Sequence, residues 1–118
     1  DLNQWVYFFM ENLDLELPRL AEYLGVPETD LDLVLNKHLK WLYDPNDNKR
    51  VTSNGIGREM SRCGAKTLPQ TRTDTFGKQR IYVHRNEEKW LNSKPDTVRE
   101  HVDKVFAVSE AMAKVSKF

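Results

Sequence analysis

Two stretches decide the fold of this chain: VTSNGIGREMSRCG at residues 51–64 and GKQRIYV at residues 77–83. In the first, Thr52 or Ser53 can cap a helix and Gly64 can end it. Ile56, Met60 and Cys63 recur at helical spacing and define an apolar stripe. Asn54, Arg58 and Arg62 recur on the roughly opposite face. Gly55 and Gly57 are weak helix formers, tolerable near a helix start, where they allow close backbone approach. A loop before a shorter helix is the alternative reading of these glycines. In the second stretch the period changes to two. Gln79 to His84 alternates, with Ile81 and Val83 on one face, which argues for a half-buried strand.

Working outward, residues 66–72 read as a weaker partner strand, demoted to an edge or bulged position by Pro69. Thr73-Asp74-Thr75-Phe76-Gly77 supplies the turn. Upstream, Leu31, Val34, Leu35, His38, Leu39 and Leu42 form a helical stripe, so a helix is expected from near Thr29 to the Asp44-Pro45-Asn46-Asp47-Asn48 turn. A short helix begins at Pro18 and ends at Gly25. Leu2, Trp5, Val6, Phe9 and Leu13 give an N-terminal helix, with Tyr7, Phe8 and Met10 leaving further apolar groups on its other face. Asn86 and Glu87 read as a loop before Trp90. Ser93-Lys94-Pro95-Asp96 starts a long final helix carrying Val98, Val102, Val105, Phe106 or Val108, Met112 and Val115.

The expected fold is therefore mainly α with a small β-hairpin, an α+β chain with a winged-helix-like core and extra N- and C-terminal helices. Its 118 residues suit one domain. Within it, residues 1–48 are an acidic helical part, 49–90 a basic helix plus hairpin wing, and 91–118 a C-terminal helix.

The charge pattern supports the same division. Net charge is zero, but residues 1–48 carry three cations against ten acids, a net of −7. Residues 49–85 carry nine against two, a net of +7, and the rest balances. So dense a basic block is a footprint for a polyanion. The candidate DNA-binding residues are Lys49, Arg50, Ser53, Asn54, Arg58, Arg62, Lys66, Arg72, Lys78 and Arg80. A helix presenting Asn54, Arg58 and Arg62 can address base edges in a major groove, and a hairpin bearing Arg72, Lys78 and Arg80 can meet phosphates. The plain alternative is a solvated basic surface.

Gly57, Arg58, Met60, Arg62 and Gly64 on the helix, with Gly77, Lys78, Arg80 and Tyr82 on the strand, resemble the C-terminal winged-helix region of phage and plasmid primase–helicase proteins. The whole chain is similar to the C-terminal end of phage primase-polymerases fused to a helicase-like module. The resemblance implies a part in DNA replication, with template or partner engagement, inside a parent that has DNA primase, DNA polymerase and helicase-like modules. It implies no catalytic residue here. The matched motifs cover residues 51–85, so the acidic opening and the last helix receive no role from it.

Other chemistry finds little support. No Gly-rich phosphate loop with a following Lys-Ser/Thr is present. Asp44, Asn46 and Asn48 imitate a calcium loop, but Lys49 and Gly55 stand where Gly and the bidentate Glu belong. Asp14/Glu16 and Asp30/Asp32 read as helix-start or solvated acids rather than Mg²⁺ ligands. His38, His84 and His101 lack zinc spacing with Cys63, which reads as a buried structural thiol. Trp5, Trp41 and Trp90 read as core anchors before base-stacking platforms. No cofactor and no small-molecule substrate are expected. The lone cysteine and the absence of an Asn-x-Ser/Thr acceptor favour a reducing, cytoplasmic setting, the host cytoplasm if phage-encoded. No run is long and apolar enough for a membrane. A start at Asp1 rather than Met is read as the edge of a piece cut from a longer protein. The expected partners are DNA and the rest of the parent protein. A protein-interaction module, docking through the two terminal helices, is the main alternative, and a free-standing transcription regulator the third.

Overall fold

The Thr52 side chain accepts a hydrogen bond from the Gly55 amide at 3.0 Å and starts helix α4, Ser53–Arg62. Ile56, Gly57 and Met60 turn inward, and Gly64 (φ +79°) closes the helix in the left-handed region. The helix is as read from the sequence, glycines included. The computed structural model describes residues 1–73 and 77–115. The expected turn residues Asp74, Thr75 and Phe76 and the side chains of Val108, Met112 and Val115 lie outside the described residues.

Around α4 stand α1 (Leu2–Glu11), α2 (Leu13–Leu24), β1 (Leu33–Leu35), α3 (Asn36–Tyr43), β2 (Lys66–Thr67), β3 (Thr71–Thr73), β4 (Gly77–Gln79), β5 (Ile81–Val83), α5 (Glu87–Leu91) and α6 (Pro95–Val115). The fold is α+β, mainly helical, with a small antiparallel sheet ordered β1-β5-β2 and a separate β3-β4 hairpin. Pro69 interrupts the ladder between β2 and β3, as expected of a residue without an N–H. The core lies between the sheet and helices α1, α2, α3, α4 and α6, where Val6, Phe9, Leu20, Met60, Val102 and Phe106 are buried. No helix among the described residues is long and apolar enough to cross a membrane.

Four local expectations are corrected. The helix expected from Thr29 is a 3₁₀ turn at Glu28–Asp30, then strand β1, and only then α3. Leu33, Val34 and Leu35 are all buried, so side chains pointing to both faces of the strand are covered, erasing the alternation that marks a half-exposed strand. Their register with β5, Leu33 opposite Val83 and Leu35 opposite Ile81, overrides helical spacing. For the same reason Tyr82, expected on an open face, is fully buried. Pro18 lies inside α2 rather than at its start. It is exposed there, so the backbone bond it omits falls on the solvent side. Finally, Glu87–Leu91 is a short helix, not a loop, entered through Asn86 at φ 53°.

Candidate nucleic-acid interface

Each candidate side chain is positioned by the element beneath it. Helix α4 is held from one side by α1, where Asn3 donates to Glu59 at 2.7 Å, and from the other by α3. Burying Ile56 and Met60 against these neighbours leaves Asn54, Arg58 and Arg62 exposed along the outer stripe. The hairpin presents Arg72 directly opposite Lys78, both exposed. Two like charges facing each other across a ladder oppose its pairing. Thr73, one residue on, is buried where β3 packs on α6.

A buried polar chain joins hairpin base to helix start. The Tyr82 hydroxyl donates to Asn36 Oδ1 at 2.7 Å, Asn36 Nδ2 donates to the Ser53 carbonyl at 2.9 Å, and the Asn36 amide donates to the Arg80 carbonyl at 3.0 Å. Burial raises the Tyr82 hydroxyl's pKa, against the opposing pull of Arg80. The Arg80 guanidinium lies on the backbone of Gly57, which explains why glycine stands inside this helix. The outcome is a polar groove of about 270 Å³ shared by Ser53 and Asn54 of α4, Lys78 of β4, Arg80 between β4 and β5, and Lys37 of α3.

The predicted residues divide. Ser53, Asn54, Lys78 and Arg80 meet in the groove, Arg58 continues the stripe, and Arg72 faces Lys78. Arg62 is exposed but contacts Glu59 at 3.4 Å. Lys66 is paired with Glu87 at 2.5 Å. Lys49 donates to the Tyr43 carbonyl at 3.1 Å and covers the Tyr43 ring, so it serves the end of α3. Arg50 is exposed on the turn at φ 56° and lines no part of the groove. Lys37, Gln70 and Gln79 line the groove and were not among the sequence candidates. Lys37 would have stood out had the strand before α3 been recognised, since it then falls in the first turn of a helix.

The remaining candidates have structural work. Asp44 accepts from the amides of Asn48 and Lys49 at 2.9 and 3.0 Å, closing the loop that imitates a calcium site. Asp32 accepts from Asn86 and from the Trp90 ring nitrogen. Burial, then Glu59 and Glu11, raises the pKa of the half-buried Cys63 and keeps it a thiol. No family model, curated protein or solved structure matches the chain.

Proposed function

We propose that this chain is a winged-helix-like, non-catalytic DNA-binding domain, an accessory part of a phage-type primase-polymerase/helicase replication protein acting in the host cytoplasm. The observation that carries the reading is that Asn54, which begins the exposed stripe of α4, lines one groove with Lys78 and Arg80. The order helix, strand, helix, helix, strand, hairpin, strand, with β5 central between β1 and β2, supports the winged-helix assignment. Helix α4, like any α-helix about 10–12 Å across with its side chains, can enter a major groove about 12 Å wide. The stripe and hairpin cations are not consumed by the acidic opening segment: within the basic block it is Arg85 that pairs with Glu28 and Asp32.

Fluorescence anisotropy with duplex, forked and single-stranded DNA at two salt concentrations tests this. Affinity falls steeply with salt, and Arg58→Ala with Lys78→Ala weakens binding while the domain stays folded. Equal binding by wild type and the double variant at matched salt would end the nucleic-acid reading.

A second reading is favoured by one observation. Tyr7, Phe8 and Leu15 are 60%, 54% and 69% exposed on α1 and α2, an apolar surface suited to docking on the parent protein. Light scattering with and without Phe8→Ser separates the two: a strict monomer without affinity for its parent counts against docking.

A further inference from the structure

We infer that the groove between the starts of α3 and α4 and strand β4 is a seat for a single phosphoryl oxyanion. The inference rests on the DNA reading only for the source of the phosphate, a backbone phosphodiester rather than free phosphate.

Three observations carry it. First, the lining is one-sided. Lys37, Lys78 and Arg80 supply positive charge, Asn54, Gln70 and Gln79 supply amides, and among the described residues no carboxylate lines the groove. At about 270 Å³ it falls below the roughly 300–1,000 Å³ of pockets for organic ligands, which fits a small ion or one group of a larger molecule.

Second, Arg80 is half-buried yet forms no ion pair with a carboxylate among the described residues. Its neighbours are the Gly57 backbone and the Tyr82 hydroxyl. Arg85 shows how the same chain treats a guanidinium in similar burial: Glu28 stands at 2.6 Å and Asp32 at 3.4 Å. Withdrawing a guanidinium from water is costly without a counter-charge. The groove beside Arg80 is where that counter-charge belongs, and a tetrahedral oxyanion can accept from its planar fork and from the ammonium groups together.

Third, the anion would meet two helix dipoles at once. Asn36 and Lys37 are the first residues of α3, Ser53 and Asn54 the first of α4, and all four line the groove. The positive ends of both helices therefore add to the three side-chain charges.

The test is a titration of the ¹⁵N-labelled 118-residue chain with inorganic phosphate, against sodium chloride at matched ionic strength. The amides of Ser53, Asn54, Gln79 and Arg80 shift and saturate with phosphate alone, and Lys78→Ala weakens that binding about tenfold, the size of one charge-assisted hydrogen bond. Shifts no larger than those from chloride would overturn the seat. A second arm titrates duplex DNA lacking terminal phosphates. Movement of the same amides, with inorganic phosphate competing, identifies a backbone phosphodiester as the natural occupant. Phosphate binding without DNA binding keeps the seat, assigns it to free phosphate and removes the DNA reading. DNA binding that leaves these amides unmoved, with no phosphate response, removes the seat and keeps the DNA reading.

Discussion

The Arg80 guanidinium rests so closely on Gly57 that a Cβ at position 57 would stand 1.6 Å from Arg80 Nη1. That contact ties the hairpin to the helix that presents Asn54 and Arg58. Gly57→Ala must therefore displace the end of a long side chain, while gaining about 1 kcal/mol of helix propensity at most. The two effects oppose each other in stability but not in geometry. Urea denaturation is expected to change by no more than about 1 kcal/mol. DNA affinity measured by anisotropy falls severalfold, because the groove loses its guanidinium. An alanine variant of unchanged affinity would show that the position of Arg80 is irrelevant to binding.

Arg58 and Arg62 share one stripe but not one environment. Arg62 lies at 3.4 Å from Glu59, which also accepts from Asn3, whereas Arg58 makes no ion pair among the described residues. Binding DNA through Arg62 competes with that pair, though an exposed pair is worth only about 0–1 kcal/mol. Arg58→Ala is thus expected to cost more affinity than Arg62→Ala. If Arg58 contacts a phosphate, its loss lowers the slope of log affinity against log salt by about 1. If it contacts a base, affinity drops with the slope unchanged and sequence preference relaxes. A larger loss from Arg62→Ala would reverse the assignment of the contact to the first turns of α4.

Much of this architecture was legible in the residues themselves. Thr52, the Ile56–Met60 spacing and Gly64 announce α4, and Pro69 announces the break between β2 and β3. These signals are local, so sequence alone carries them. Strand β1 was not legible, because Leu33, Val34 and Leu35 are covered on both faces and fit helix spacing as well as strand spacing. That misreading hid Lys37 within a presumed helix interior. The partition of the basic block was equally hidden. Lys49, Lys66 and Arg80 look alike in sequence, but Tyr43, Glu87 and Gly57 are brought to them only by the fold.

The buried histidines make stability depend on acid. Burial, aided by the Lys37 charge, lowers the pKa of His38 to about 3. Burial and Arg85, partly opposed by Glu87, lower that of His84 to about 4. His38 Nδ1 accepts from the Leu35 amide at 3.3 Å, so protonating that nitrogen would also break a bond at the start of α3. Both groups are neutral in the folded state and take up protons near pH 6.5 when unfolded. Their contribution is complete above pH 6.5 and is lost as pH falls toward the folded values. At pH 5 each accounts for about 2 kcal/mol of lost stability. Urea midpoints are expected to stay level from pH 8 to 7 and to fall between 6.5 and 4 by this linkage, with His84→Gln removing part of the fall. A midpoint as high at pH 5 as at pH 7.5 would show that these rings are not held neutral.

Tyr82 and Asn36 set the last expectation. The hydroxyl of Tyr82 is fully buried and donates to Asn36 Oδ1 at 2.7 Å, while Asn36 Nδ2 reaches the Ser53 carbonyl at 2.9 Å. Tyr82→Phe keeps the ring but leaves a buried carbonyl oxygen without this donor. The penalty for such a group is about 1–3 kcal/mol, larger than the net gain from an ordinary hydrogen bond. Asn36→Ala removes both links and frees the start of α4 from β5, so it is expected to cost more than Tyr82→Phe. The two changes act through one chain of bonds, so the double variant should cost less than the sum of the single variants, with coupling of about 0.5–3 kcal/mol. Strict additivity in a double-mutant cycle of urea denaturation would mean that hairpin and helix are joined by packing alone.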